Sequence, residues 1–551
     1  MTQLNHDAST QPAADASDAG SAQPARCGRL RRWTRRLVKL CCWCVALLIV
    51  AAVVTAVVIN WRGAAARDAV LARAAKMGVE RPRPLGLWGS LTNADVPESP
   101  DDGTRFLAGA FAVGLDFPDD LQDRNPFFGD TEWSRLSEAP SAEWLAAVEE
   151  TLAANAAYTS LLDDATDAQT LGMPATDEAY DPLNLSMAHL SHFRAAARWQ
   201  KMRAAYAAAQ NQPAQAVQQL QRFIRIAEAS SHQRYLIGLL VHCSLLNMAQ
   251  FSVEGVNAQV ELSPAELTQL SDQLAKLQQT TADRIEAALV SEAQHSMAVL
   301  LEPQRYVLRE HPTRRAFFED GDSRGIWASV MGPSDNLWNR IGYYGAPYFV
   351  TLTPGLYESA LASEVGVMLD MLQQVRDTGV TPALAKTFRD APTYLFDDDE
   401  DRAVTLTTWA GCGDPQRVRD SEKVALRTAM QALSRVALTR VALAVERYRV
   451  EHGRWPASLA DAPGGDLPDP LTGEPFIYQI TDAGVRLYGL GVNGGDDGGV
   501  WRADEGARED QDDLHFQLFN PALRGRPPET PETPETPAPA AQASPEPDAA
   551  E

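Results

Sequence analysis

The most pronounced feature of the hydrophobic pattern is an uninterrupted apolar run near the N-terminus, from Leu40 to Ile59. Thr55 is the polar residue within it, and a threonine hydroxyl can bond back to its own helix. As a helix the run is about 30 Å long, which matches the hydrocarbon core of a bilayer. The pattern therefore predicts a single transmembrane helix over residues 40–60.

The charge around this run predicts its orientation. Seven basic residues lie between Arg26 and Lys39, ahead of the run. By the positive-inside rule, residues 1–39 lie in the cytoplasm and the rest of the chain lies outside it. The sequence thus predicts a single-pass protein of the inner (cytoplasmic) membrane. A cleaved signal peptide is the alternative, since Ala64–Ala66 resembles a cleavage site, but secretory signals usually carry only about 7–15 apolar residues.

From residue 104 to about residue 310 the apolar residues recur mostly at the three- and four-residue spacing of amphipathic helices, whereas residues 311–354 show no clean period. A Ser-Pro-Ala-Glu sequence at residues 263–266 is typical of a helix start, with Ser263 as the N-cap. The predicted helices are Ala64–Met77, Trp144–Leu162, Leu183–Ala209, Ala214–Ala229, one from Ser263 to about Leu300, and Tyr357–Val375. The pattern indicates a helical ectodomain.

A different pattern follows in the C-terminal part. A long helix is predicted over Ser421–Glu451, with Gly453 as its C-cap. Two short segments, Phe476–Ile480 and Val485–Leu490, predict strands joined by a turn. The chain then reaches Asn493-Gly-Gly-Asp-Asp-Gly-Gly, in which carboxylate and amide oxygens stand among glycines. Oxygen ligands of this kind suit calcium, whereas a solvated turn is the simpler interpretation.

The order of these C-terminal motifs resembles that of a known protein family. The segment from Tyr448 resembles the C-terminal part of the major pseudopilin of type II secretion systems. In that family a long helix is followed by an aromatic residue, a Gly-x-x-Pro turn, a DP-x-x-G-x-P-x-x-Y hairpin and a calcium-binding Gly/Asp loop. The matching positions are Tyr448, Gly453, Pro456, Asp469, Pro470, Gly473, Pro475, Tyr478, Tyr488, Gly491, Asn493, Asp496 and Asp497. The resemblance implies a small α+β module at residues 415–526 and calcium bound through Asn493, Asp496 and Asp497.

The chain also departs from that family. In a pseudopilin the helix ahead of this module is itself the membrane segment, whereas here the anchor and Ser421 lie far apart. Residues 27–39 contain no glutamate and supply no prepilin peptidase site. Assembly into a pilus fibre is therefore not implied. The arrangement of anchor, helical middle and this ending also resembles a broader group of large bacterial membrane-anchored proteins whose function is not known.

Composition narrows the choice of partners and chemistry. The net charge is −24, although the N-terminal tail is basic, so the remainder is strongly acidic and nucleic acid is excluded as a partner. Cys243 lies in an apolar helical context that predicts a free buried thiol, and its pairing with Cys412 is the alternative. His189 with His192, and Glu292 with His295, are interpreted as satisfied or surface groups rather than metal ligands.

Two functional hypotheses follow. The preferred one is a non-enzymatic, membrane-anchored binding or scaffold protein whose partners are the membrane, through residues 40–60, and other envelope proteins. The alternative is an extracytoplasmic serine hydrolase, because Gly321–Gly325 matches G-x-S-x-G with Ser323 as the nucleophile. That motif needs a buried strand ahead of it, and the preceding residues make a poor one.

The predicted fold class is mainly α, with a single N-terminal transmembrane helix, a helical ectodomain and a small α+β C-terminal module. The predicted divisions are a disordered basic tail (1–39), the transmembrane helix (40–60), a juxtamembrane helix and linker (61–103), the helical ectodomain (104–414), the pseudopilin-like module (415–526) and a disordered Pro/Glu tail (527–551).

Overall fold

The computed structural model describes eight stretches of the chain: residues 27–80, 102–116, 137–172, 188–232, 236–301, 354–388, 415–499 and 513–526. Within them the protein is mainly helical and contains one three-stranded antiparallel sheet. The chain divides into two compact units, Met1–Arg62 and Gly63–Glu551. The predicted helical class with a small β element is confirmed.

The first helix, α1, runs without a break from Cys27 to Lys76. Its most apolar window has a mean hydropathy of 2.9, and none of that window is buried. Trp43, Leu48 and Trp61 are all at least 70% exposed. Soluble proteins rarely expose so many large apolar side chains to water along one helix. Helix α1 is thus a candidate membrane span, and its last turns form the helix predicted over Ala64–Met77.

The other described helices belong to the second unit. They are α2 (Asp102–Val113), α3 (Ala142–Ala154), α4 (Ala156–Asp167), α5 (Ala188–Ala209), α6 (Pro213–Ser230), α7 (Leu236–Gln259), α8 (Pro264–Leu301), α9 (Pro354–Thr378), α10 (Pro382–Thr387) and α11 (Pro415–His452). Two 3₁₀ turns, Leu459–Asp461 and Pro521–Leu523, complete the helical elements.

Helix α7 is the centre of the second unit and packs against α5, α6, α8 and α11. It is long and apolar enough to cross a membrane, but 67% of its most apolar window is buried in the protein, so it is a core helix. Cys243, on this helix, is a buried free thiol, as predicted. Cys412 lies outside the described residues.

Local sequence signals explain most helix ends. Ser263 and Glu266 form the predicted capping box, with the Ser263 amide donating to Glu266 Oε2 at 2.8 Å. Gly453 ends α11 at a φ of 71°, as a C-cap glycine should. The helix predicted over Trp144–Leu162 is instead two helices. The break is at Asn155, whose Nδ2 donates to the carbonyls of Thr151 and Asp116.

The sheet contains β1 (Ile477–Thr481), β2 (Gly484–Gly489) and β3 (Leu514–Phe519), in the order β1-β2-β3. The first two strands and their turn were predicted to within one residue. Strand β3 was missed, because the chain leaves β2 for 24 residues before returning beside it. Val485, Leu487 and Phe516 are fully buried on the face that packs on α11.

Candidate metal-binding loop

The predicted calcium residues lie in the loop that follows β2, at residues 493–499. Two of its side chains fold onto the next amides. Asn493 Oδ1 accepts from the Gly495 amide at 2.9 Å, and Asp496 Oδ1 accepts from the Gly498 amide at 2.9 Å. These are Asx turns, which reverse the chain twice within seven residues. Each turn uses one of the oxygens that a cation would otherwise take.

The structure brings two of the three predicted residues into direct contact. Asn493 Nδ2 donates to Asp497 Oδ2 at 3.3 Å. Asp496 instead lies near Tyr488, and its carboxylate contributes to the raised pKa of the Tyr488 phenol. Asp496 is exposed and Asp497 is half-buried. The three residues therefore share one loop, but their side chains do not converge on one point.

A fourth residue, Asp513 at the start of β3, organises the loop. Its Oδ2 accepts from the amides of Asp497 at 2.8 Å and Gly499 at 2.9 Å. Asp513 is 3% exposed, and its buried Oδ1 accepts no hydrogen bond from the described parts of the chain. Burial raises the pKa of this carboxyl, while the amides of Gly499, Asp497 and Gly491 oppose the rise. An orphaned, buried carboxylate oxygen is a group that a cation would satisfy.

Tyr488 on β2 forms the floor of the loop. Its ring is 2% exposed, and its hydroxyl accepts from Gln479 Nε2 at 3.0 Å. Burial, and then the carboxylate of Asp496, raise the pKa of this phenol. Gly499 lies directly on the ring, so that a Cβ there would come within 2.5 Å of Tyr488 carbon atoms. The loop is packed against the sheet rather than extended into solvent.

The donor set fits a hard cation only in part. Calcium takes about six to eight oxygens, and Asn493, Asp496, Asp497 and Asp513 supply amide and carboxylate oxygens of the required kind. Yet the described residues contain no group of three or more His, Cys, Asp or Glu side chains poised to hold a metal ion. A bound calcium ion would have to draw on loop carbonyl oxygens as well.

Ser323 and the whole Gly321–Gly325 motif lie outside the described residues. Glu292 lies on α8, where its carboxylate accepts from the Leu236 amide at 3.4 Å. His192 stacks on Phe111 with ring centroids 5.2 Å apart.

Sequence reasoning missed several buried ionisable groups besides Asp513. Glu254 on α7 and Glu422 on α11 are 0% and 5% exposed. Burial, reinforced by the Glu292 carboxylate, raises the pKa of Glu422 to about 8, and burial raises the pKa of Glu254 well above its usual range. Both positions lie on helix faces that contact other elements, and one sequence carries no signal that separates such a glutamate from a surface one.

Comparison of the chain with models of protein families, with curated proteins and with solved structures found no match in any of the three.

Proposed function

We propose that this chain is a single-pass protein of the inner membrane, anchored by residues 40–60, with residues 1–39 in the cytoplasm and the bulk of the chain outside it. The observation that supports this most is the apolar part of helix α1, residues 40–58, where the large hydrophobic side chains are exposed. A bilayer is the environment that satisfies such a helix. The basic residues ahead of it support the orientation.

We further propose that the extracytoplasmic part acts as a binding or scaffold protein for other envelope proteins and not as an enzyme. Its buried polar groups are used to join helices. His242 connects α6, α7 and α8, because its Nδ1 lies 2.9 Å from the Ala227 carbonyl and its Nε2 lies 2.8 Å from Thr281 Oγ1. Glu446, fully buried, pairs with Arg449 and Arg524. Networks of this kind favour a rigid frame.

Two experiments on native membranes test this role. Cross-linking and co-isolation of the full chain is expected to recover one or a few envelope proteins in stoichiometric amounts, and recovery of lipids and detergent only would contradict it. The serine hydrolase alternative predicts that a fluorophosphonate probe labels Ser323. We expect no labelling of the purified chain, and labelling that Ser323→Ala abolishes would decide for the hydrolase.

The resemblance to the pseudopilin module is part of the proposal. A long helix, the Gly453 turn, a hairpin and a Gly/Asp loop follow one another in the order that the family has. Asp469 of the DP-x-x-G sequence is buried and accepts from the Leu471 amide at 2.9 Å, which gives the motif a structural purpose here.

Calcium binding by Asn493, Asp496 and Asp497, assisted by Asp513, is the most specific part of the proposal. Calcium bound to the folded state stabilises it by mass action, by about 2.7 kcal/mol at 100 times the dissociation constant. The full-length chain in detergent should therefore unfold at a higher temperature with calcium than with chelator. Asp496→Ala combined with Asp497→Ala should abolish the shift, whereas Asp482→Ala, outside the loop, should keep it.

The wild-type midpoint decides the outcome of this test. If it does not change up to about millimolar calcium, the range of weak extracellular sites, the loop is a glycine-rich turn and the resemblance is one of fold.

A further inference from the structure

The two outer edges of the sheet differ in how they are covered. Helix α7 runs along the outer edge of β3, where Gln250 Nε2 donates to the His515 carbonyl at 2.6 Å and the Gln517 amide donates to Glu254 Oε1 at 2.6 Å. Two buried side chains thus satisfy two of the outward backbone groups of β3, the His515 carbonyl and the Gln517 amide. On the opposite side, among the described residues, β1 pairs with β2 and with no further strand.

The register identifies the backbone groups at the open edge. In an antiparallel ladder, alternate residues direct their backbone groups to opposite sides. The backbone amide of Gln517 points away from β2. The backbone groups of Arg486, its partner on β2, therefore point towards β1, where they bond with the backbone of Gln479. The residues on either side of Gln479 are Tyr478 and Ile480, and their amides and carbonyls therefore point outwards. No backbone bond other than those within the sheet involves these two residues among the described parts of the chain.

Strand β1 lacks the features that usually protect an exposed edge. Its sequence, Ile-Tyr-Gln-Ile-Thr, contains no charge and no proline, and its register with β2 is continuous without a bulge. The Ile480 side chain is 60% exposed, although it continues the apolar face formed by Val485 and Leu487. An uncharged strand with an exposed β-branched residue is a template for an added strand.

The chain segments that flank β1 are acidic. The exposed charged residues between 454 and 482 are one arginine and four acids: Arg454, Asp461, Asp466, Glu474 and Asp482. Glu474 and Asp482 lie just before and just after β1. A second copy of the chain would bring these acids together, and the whole chain has a net charge of −24. Charge complementarity therefore favours a cationic ligand.

We propose that the open edge of β1, residues 477–481, binds an extended, lysine- or arginine-containing segment of a partner protein as a fourth strand. This inference rests on the proposed binding role and names the class of partner. The backbone groups of Tyr478 and Ile480 bond to the added strand, the Ile480 side chain packs against an apolar residue of it, and Glu474 and Asp482 attract its basic residues.

The test uses the full-length chain in detergent and a labelled ten-residue peptide of alternating lysine and valine as the probe. Fluorescence anisotropy should show binding that weakens as salt is added, because the attraction is between exposed charges. Hydrogen exchange should show new protection at residues 477–481. A peptide with glutamate in place of lysine should not bind. Equal binding of the two peptides, or protection that excludes β1, would overturn the inference.

Variants of the edge make the test specific. Ile480→Pro removes one outward amide, which an edge strand tolerates, and also the Ile480 side chain, so it should weaken binding by about tenfold. Ile480→Val, the matched control, should bind within about twofold of wild type. Should Ile480→Pro disturb folding, Glu474→Lys tests the same edge through charge and should also weaken binding.

Unchanged binding by Ile480→Pro and Glu474→Lys would overturn the inference. A concentration-dependent dimer that Ile480→Pro dissociates would show that a second copy occupies the edge, and would also overturn it. The outcome is separable from the binding role itself. If the Ile480→Pro chain still co-isolates the same envelope proteins from membranes, those proteins bind elsewhere and the role stands without this edge.

Discussion

At the scale of single residues, the loop after β2 depends on one glycine more than on its neighbours. Gly499 has a φ of 60°, a conformation that L side chains rarely adopt, and it lies against the Tyr488 ring. Gly495, in the same loop, has its nearest neighbour at 3.6 Å from a Cβ added there, which is an ordinary contact. The two glycines form a matched pair for mutation.

We predict that Gly499→Ala destabilises the protein and Gly495→Ala does not. The strained backbone alone costs about 1–2 kcal/mol, and the collision with Tyr488 adds to it. The measurement is the free energy of unfolding of the full-length chain in detergent, monitored by circular dichroism. Equal stability of the two variants would show that Gly499 is not packed on the ring.

A second residue-scale prediction concerns Glu422, whose pKa of about 8 lies far above the usual 4.5 for glutamate. Because the folded pKa is raised, this group's contribution to stability is complete below pH 4.5 and is lost as the pH rises towards 8. The loss amounts to about 1.4 kcal/mol per pH unit at most. Glu422→Gln removes a charge that the buried site does not favour, so the variant should be more stable than wild type at pH 8.

The check is the unfolding midpoint of both chains between pH 5 and pH 9. The difference between Glu422→Gln and wild type should grow from pH 5 to about pH 8 and then level off. Glu451→Gln, on the exposed end of the same helix, should follow the wild-type curve. A constant difference across the range would contradict the raised pKa.

Residue-level chemistry was the least predictable part of the sequence. Asn493, Asp496 and Asp497 were singled out from the sequence because they lie within five residues of one another. Asp513, which holds the loop through two amides, lies 14 residues beyond Gly499 and has no local signal. Asp513 reaches the loop only because β3 pairs with β2. The local sequence pattern does not predict this long-range pairing.

At the scale of elements, hydrophobic spacing and capping residues located most helices, because helix formation is decided within about four residues. Strand β3 had a visible signal, with apolar Leu514, Phe516 and Leu518 alternating with polar residues. The alternation was unusual because the polar residues, His515 and Gln517, are also buried. Contacts with α7 explain the burial of His515 and Gln517. Long-range contacts of this kind cannot be predicted from the local sequence pattern.

The contact between α7 and β3 leads to an element-scale prediction. Glu254 Oε1 accepts the outward Gln517 amide, so Glu254→Ala leaves a buried N–H without a partner, at a cost of about 1–3 kcal/mol. Glu254→Gln keeps an acceptor oxygen and removes an ionisable group whose pKa burial raises, so it should match or exceed wild-type stability at pH 7. Urea unfolding of the three chains is the measurement. Equal loss in both variants would mean that the carboxylate charge, and not the accepted bond, matters.

At the scale of the whole molecule, two regions of opposite charge and the apolar helix α1 are the features on which the proposed membrane topology rests. The N-terminal tail is basic, the remainder is acidic, and α1 exposes its apolar side chains between them. Helix α7 shows why apolarity alone does not predict a membrane span, since it passes the same length and hydropathy criteria but lies in the core. Exposure distinguishes the two helices.

We propose that α1 is a retained anchor that places the bulk of the chain outside the cytoplasm. Alkaline phosphatase is active only outside the cytoplasm, so enzyme fused after Arg526 should be active and should sediment with membranes. The same enzyme fused after residue 30 should be inactive. If the residue-30 fusion were active and the Arg526 fusion inactive, the orientation would be the reverse of the one proposed. If an active Arg526 fusion were recovered in soluble extract, α1 would not be a retained anchor.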